Sequence, residues 1–474
     1  MGVNAKGREL SALEGVDVLV AGGGNAALCA ALTAREAGAR VAVLERDTIE
    51  SRGGNSKYTR NVRCAHQGGP HTGGPYPEEE LLQDLVNVTG EDIDLAMARY
   101  TIKRSVEAPA WMERQGVTWQ GALRGTQGLT RTNRFFLGGG KALLNTYYRR
   151  AEQLGIDVFY NARVEELEMR DGRFASASVA TDGRRESVAA RAIVVASGGF
   201  ESSLAWLRQY WGDAVDNYII RGTACNDGTL LAALLDMGAV ARGNARGFHS
   251  TAVDARSPRY DGGIVTRIDS IPFGIAVNRD ARRFYDEGEE IWPKRYAVWG
   301  RLIAEQPEQV AFSIFDDRAW GSFIPGCYPP LVADTIGELA GKLGLDTDTL
   351  IATVEEYNRA AVEGEGYDGS RQDGRAATGL EPPKSNWALP LDRPPFRAYP
   401  LRPGITFTYL GVGVDRQARV LTQDESPLPG IYAAGEIMAG NVLLRGYLAG
   451  FGMTIGTVFG RIAGEEAAVH ARSH

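Results

Sequence analysis

Cysteine is scarce. The 474 residues include four, Cys29, Cys64, Cys225 and Cys327, and no two stand at CxxC or CxxxC spacing. That excludes a disulfide framework and a thiolate metal site. Long apolar runs are missing as well. No stretch approaches the roughly 20 residues a membrane span requires, and the first fifteen residues hold no apolar signal core. The chain is therefore expected not to be an integral membrane protein and to work in the cytoplasm. Positive charge is in deficit, with 52 Lys and Arg against 59 Asp and Glu and a net charge of -7. Such a balance argues against a nucleic acid partner, which needs a basic surface. An anionic substrate would have to meet a local cluster of arginines. Gly138 to Gly140 precede Lys141 but lack GxxxxGK[ST] spacing, which excludes a nucleotide-hydrolysing phosphate loop. What remains is an ordinary globular composition, 44% apolar and 23% charged, in a chain long enough for two domains.

The most informative stretch that is present runs from Val16 to Glu45, VDVLVAGGGNAALCAALTAREAGARVAVLE. Val16 to Val20 reads as a buried strand, Gly22 to Gly24 as a tight turn, and Asn25 to Ala37 as a small-residue helix. A second apolar run, Arg40 to Leu44, ends on Glu45. Gly22 lets the chain turn, Gly24 lets backbone approach a pyrophosphate, and Ala27 lets helix and strand pack closely. The helix N-terminus offers free amides to the phosphates, and Glu45 is placed to accept from a ribose. The polar loop that follows brings Gly53, Gly54, Asn55 and Ser56 over such a cofactor. Arg60 and Arg63 either point onward to a substrate or belong to a solvated loop. The same two readings apply to Arg131 and Arg134.

Further along, Val164 to Met169 and Phe174 to Ala180 form a hairpin signal. Ala192 to Ala196 is a strand running into Ser197, Gly198 and Gly199, a second approach to a cofactor. Asn226, Asp227 and Gly228 open another helix. Around Arg246 the strand-glycine-helix units stop, and Trp, Tyr, Pro and Arg become dense up to about Pro403. This middle part holds His249, a helical pair with Asp346 as an N-cap, and a Gly/Asp/Arg-rich stretch, Glu365 to Lys384, that reads as a flexible surface loop. From Ile405 the small-residue pattern returns. A strand enters Ala433, Ala434, Gly435 and Glu436, and a last glycine-rich helix follows Arg445.

Taken in order, GGGNAALCAAL with VAVLE, GGNSKYTRN, VVASGGF, NRDARRFYDEGEE, YAAGEIMAGN and TVFGRIAG resemble the flavoprotein family of fumarate reductases and succinate dehydrogenases. The strings TRNVRCAH, FLGGGKALLN, WPKRYAVWGRL and ITFTYLGVGVD are most similar to its FAD-dependent tricarballylate dehydrogenase branch. The resemblance implies an α/β fold, with a Rossmann-like FAD-binding domain (12–245 and 405–474) and an inserted α+β capping domain (246–404) over the isoalloxazine. It implies an enzyme that moves a hydride between a substrate carbon next to carboxylates and flavin N5, here tricarballylate to cis-aconitate. FAD contacts carry over to Gly22, Gly24, Asn25, Ala26, Glu45, Arg46, Gly53, Gly54, Asn55, Ser56 and Val164. They continue with Ser197, Gly198, Asn226, Asp227, Gly435, Glu436, Gly450 and Gly452. Arg295 matches the family's proton-transferring cap arginine, and His249 its substrate-binding histidine. Phe407 stands where fumarate reductases have a histidine, and Tyr447, with Arg445 two residues earlier, where they have a carboxylate-clamping arginine. Those departures argue against plain fumarate or succinate chemistry and suit a differently shaped acid, as in the tricarballylate branch. No flavinylated-histidine motif matches, and His66 lies in another context, so FAD is expected to be noncovalent. With no second dinucleotide unit and no haem or iron-sulfur spacing, reoxidation is expected to need a partner protein, quinone or oxygen. A ketosteroid-dehydrogenase-like or fumarate-reductase-like FAD enzyme on another substrate and a flavin electron-carrier subunit are the alternatives.

Overall fold

The computed structural model describes residues 9–10, 13–122, 129–181, 183–289, 296–361, 367–369 and 371–473. Its first sheet forms where the sequence is most apolar. Val16–Ala21 is the central strand, buried along nearly all its length as a parallel strand covered on both faces must be. It pairs in parallel with Val41–Leu44 on one side and with Arg184–Val195 on the other. Asp157–Phe159 and Pro427–Ala433 extend the parallel set outward. The strand Arg163–Arg170, together with Arg173–Thr181, forms the expected hairpin, which continues antiparallel into Arg184–Val195.

Two helices with small faces cover this sheet, Asn25–Glu36 and Phe451–Ser473. Their axes come unusually close. A Cβ on Gly460 would stand 2.5 Å from the Ala26 carbonyl oxygen, and one on Gly464 would stand 2.2 Å from that of Ala30. Only glycine allows that approach, and it brings both helix N-termini to one place. The segment 77–115 contains three helices, Glu78–Thr89, Leu95–Ser105 and Ala108–Arg114.

A second sheet is antiparallel, in the order Phe248–Asp254, Phe396–Thr408, Ala311–Phe315 and Ile275–Asn278. The short strand Ile219–Ile220 pairs with Gly404 and Ile405 of the long strand, which runs unbroken past residue 404. Alternation along the strands separates two cores. Ile275, Val277, Phe312, Ile314 and Ala398 face the helices Ile336–Leu343 and Thr347–Ala360. Ala276, Ala311, Phe315, Tyr399 and Leu401 face Trp299 and Ile303 of the helix Trp299–Ala304. Asp346 caps the second of the paired helices by accepting from the Thr349 amide at 2.9 Å.

The end of the stretch read as a surface loop is buried instead. Ala377 and Lys384 are fully enclosed and bridge each other, and the Lys384 ammonium donates to the Pro272 carbonyl at 2.8 Å and to that of Gly274. Turn carbonyls with no strand partner need a donor, and a lysine at the end of a polar stretch supplies it. Burial pulls the Lys384 ammonium down to about 8. Among the described residues no helix is long and apolar enough to cross a membrane.

Candidate active site

Four parallel strands of the first sheet end on the same cavity. Gly22 to Gly24 follow Val16–Ala21, Glu45 follows Val41–Leu44, Ser197 and Gly198 follow Arg184–Val195, and Ala434 to Glu436 follow Pro427–Ala433. The crevice beyond the carboxyl ends of parallel strands is where such sheets bind ligands. Here it is one continuous cavity, lined from the Gly22 turn at one end to His249 and Tyr296 at the other.

At the first end Gly22 has φ 117°, and a Cβ there would lie 2.4 Å from the Ala196 carbonyl oxygen. The Ser56 hydroxyl accepts from the Asn25 amide at 3.0 Å, and no side chain caps the helix from Gly24. The first turn thus presents amides and a positive dipole end to the cavity. Glu45 is buried and holds the next loop by accepting from the Asp47 amide at 2.9 Å and the Gly53 amide at 3.3 Å. Arg46 forms a 2.9 Å ion pair with Asp227 across the opening.

Midway along, two buried carboxyls meet. Glu201 accepts from Asn55 at 2.5 Å and from Asn226 at 2.6 Å, while Glu436 accepts from the Thr408 amide at 2.8 Å. The pair ties together four of the segments that form the cavity. Burial raises the Glu201 carboxyl, and burial with the neighbouring carboxylate raises Glu436 well above the usual range. A carboxyl raised in the folded state adds stability that is complete below about pH 4.5 and is lost as pH climbs through the folded value. Glu201→Gln keeps the acceptor oxygen without the charge. It is expected to raise Tm relative to the wild type by about 2 °C near pH 8 and by much less near pH 5, measured by calorimetry. A gain independent of pH would contradict a Glu201 carboxyl raised by its burial beside Glu436.

At the far end, a bulge between His249 and Ser250 interrupts the pairing of Phe248–Asp254 with the long strand. The His249 ring stacks on Tyr447 at 3.9 Å and 12°, and its Nε2 lies 3.1 Å from the Tyr296 hydroxyl. Burial, reinforced by Arg221 and Arg267, holds His249 well below its ordinary range and therefore neutral. Arg267 lies over the Tyr296 ring, 4.6 Å from its centroid, and forks onto Asp269 at 2.7 and 2.8 Å. Burial lowers Arg60 to about 10, with Arg267 adding to the effect, and lowers Arg221 to the same value. Both stay charged near neutrality. Phe407 completes the wall.

Of the cofactor residues read from the sequence, all but Gly53 line the cavity. Gly53 turns the loop at φ 105°, and the space a Cβ would need there is filled by Leu144. Of the substrate residues, His249, Arg60, Phe407 and Tyr447 meet at the far end. Four others lie outside it. Arg63 is fully buried, donating to the Ala449 carbonyl at 3.0 Å and the Tyr76 hydroxyl at 2.9 Å, which fixes the turn before the last helix. Arg131 pairs with Glu80, and Arg134 lies 3.9 Å from Glu113. Arg445 is exposed, with its guanidinium against Gly90. Arg295 lies outside the described residues. Arg221, Arg267, Tyr296 and Glu201 were not singled out from the sequence. The one available signal was TRID, an arginine two residues before an acid.

The cavity fits FAD on the structure's own terms. It has a helix N-terminus whose N-cap, Gly24, carries no side chain, beside a glycine turn that admits no Cβ, buried polar groups along its length, and a second helix N-terminus at Gly450 and Gly452. The FAD binding domain family matches residues 17–452. A probable fumarate reductase of Shewanella frigidimarina is 28% identical over 97% of this chain and 76% of its own. The open conformation of a flavocytochrome c3 fumarate reductase superposes with a TM-score of 0.77 at 24% identity, covering 96% of this chain and 78% of that one. A 3-ketosteroid-Δ4-(5α)-dehydrogenase of Rhodococcus jostii superposes with a TM-score of 0.73 at 23% identity, covering 98% and 99%. The chain belongs to the FAD binding domain family and is an FAD-dependent oxidoreductase, with the fold shared by fumarate reductases and ketosteroid dehydrogenases.

Proposed function

We propose that this oxidoreductase acts on a saturated carbon-carbon bond flanked by carboxylates, with tricarballylate, oxidised to cis-aconitate, as the substrate of choice. The observation that carries the reading is charge. Arg60, Arg221 and Arg267 line the far end of the cavity, where the Asp269 carboxylate pairs with Arg267 and His249 is neutral. Buried cations of that density need anionic ligands. In the wild-type fold the 246–404 segment serves as the cap, and 12–245 with 405–474 hold FAD without a covalent bond.

FAD, when bound, supplies the two-electron acceptor for the hydride. The protein's share is positioning and proton transfer. The arginines orient the carboxylates. Neutral His249, fixed between Tyr447 and the Tyr296 hydroxyl, offers a hydrogen bond to the substrate rather than a charge. Arg295, next to Tyr296 in the chain, takes the proton from the neighbouring carbon. A guanidinium in water keeps its proton across the physiological pH range, so Arg295 acts as the base only once a relay has passed that proton to solvent. Reoxidation falls to a partner protein or quinone.

A second reading, an apolar ketone such as a steroid enone, is favoured by the aromatic wall of Phe407, Tyr447 and Tyr296. Anaerobic mixing of the yellow protein with a panel of di- and tricarboxylates and a steroid enone separates the two. Reduction by a tricarboxylate supports the first, and turnover of the steroid alone supports the second.

A further inference from the structure

Arg221 is 4% exposed, yet it lines the cavity and is paired with no carboxylate among the described residues. Its Nε donates to the Thr406 hydroxyl at 2.8 Å, which fixes the plane of the guanidinium. Its Nη1 is buried with no hydrogen-bond partner. A buried donor left unsatisfied costs roughly 1–3 kcal/mol, more when charged. The fold bears that cost at the wall shared with His249, Phe407 and Tyr296. Arg267 differs, because Asp269 already accepts two of its hydrogen bonds.

The sequence around Arg221 places it firmly. Ile219–Ile220 adds to the long strand at Gly404 and Ile405, and the Arg221 amide donates to the Ile405 carbonyl at 2.8 Å. Arg221 leaves the sheet edge beside Thr406 and Phe407, and the neighbouring Asn55 side-chain oxygen Oδ1, accepting from the Thr223 amide at 2.8 Å, holds the next turn. The guanidinium is thus set on backbone that the cofactor loop and the second sheet both hold.

We infer that Arg221 is a specificity-determining residue, the anchor for a third carboxylate, which makes the site select tricarboxylates over dicarboxylates of similar length. The assignment rests on the polycarboxylate reading above. A guanidinium with one edge occupied by Thr406 and the other free accepts a carboxylate side-on through charge-assisted hydrogen bonds. A dicarboxylate lacking the third group leaves that edge unpaired and gains nothing from it.

The test is binding to the FAD-loaded protein by calorimetry, with tricarballylate, its two monoamides and glutarate as probes. In the wild type, one monoamide is expected to bind at least about 30-fold more weakly than tricarballylate, the loss for one partner of a buried charged pair. In Arg221→Gln that discrimination collapses to about 3-fold or less, and glutarate binding stays within about 3-fold of wild type. Arg221→Lys restores part of the discrimination, as a point charge without the fork does. Wild-type protein that binds both monoamides as tightly as the triacid overturns the inference without any variant. Equal loss of tricarballylate and glutarate in Arg221→Gln overturns it too, while leaving the polycarboxylate reading standing. Failure of every carboxylate to bind the wild type removes both.

Discussion

Gly22→Val is expected to purify without FAD, its affinity for added FAD falling at least about 100-fold. Two costs combine. The φ of 117° is one that a β-branched residue adopts only with strain, roughly 1–3 kcal/mol. The added Cβ would lie 2.4 Å from the Ala196 carbonyl oxygen, and that oxygen cannot retreat. Ala196 follows directly on a strand locked to Val16–Ala21 by the pairs Val20 with Val194 and Ala21 with Val195. The turn must therefore open, and with it the helix N-terminus that presents amides to the cofactor. The control is Gly38→Asn. Gly38 also has positive φ, 92°, but its Cβ would meet nothing within 4 Å, and asparagine tolerates that region. Fluorescence titration of the stripped proteins with FAD checks both. Wild-type affinity in Gly22→Val would show that the turn is not the cofactor's anchor.

Arg267→Met is expected to lower kcat/KM for the polycarboxylate about 1000-fold while FAD content stays near wild type. Arg267 sits at the substrate end, over the Tyr296 ring, where Tyr296 in turn holds His249. Its removal takes a cation from the substrate, frees Tyr296, and leaves the Asp269 carboxylate unpaired in a buried place. Truncating one member of a buried ion pair costs roughly 3–5 kcal/mol, so stability falls along with activity. The double variant Arg267→Met with Asp269→Asn separates the two effects. It should recover most of the lost Tm and little of the lost kcat/KM. Recovery of activity together with stability would mean that Arg267 acts only through the fold.

The features legible in the sequence were those written in consecutive residues. Val16 to Glu45 needs only local periodicity and a glycine turn, and the same logic reached Ser197, Gly198, Gly435 and Glu436 at the ends of neighbouring strands. The substrate end is assembled from distant segments, and there the sequence spoke less clearly. Arg60 and Arg63 stand in one string, but the short strand Asn61–Val62 lies between them, so they leave on opposite faces. One meets the cavity and the other fixes the Ala449 turn. Arg221 is placed by the pairing of Ile219 and Ile220 with Gly404 and Ile405, a contact no local pattern announces. Lys384 looked solvated because a polar stretch is usually on the surface. Its burial follows from carbonyls more than a hundred residues earlier in the chain. Arg131 and Arg134 had the same composition as a substrate clamp, and the structure spends them on Glu80 and Glu113.

The most direct test of the account is an anaerobic titration of the purified yellow protein with tricarballylate, followed by its visible absorption and by analysis of the product. The oxidised flavin band is expected to bleach, with one cis-aconitate appearing per FAD reduced. A band unchanged by tricarballylate and by every other di- or tricarboxylate, in protein that dithionite still bleaches fully, would contradict it.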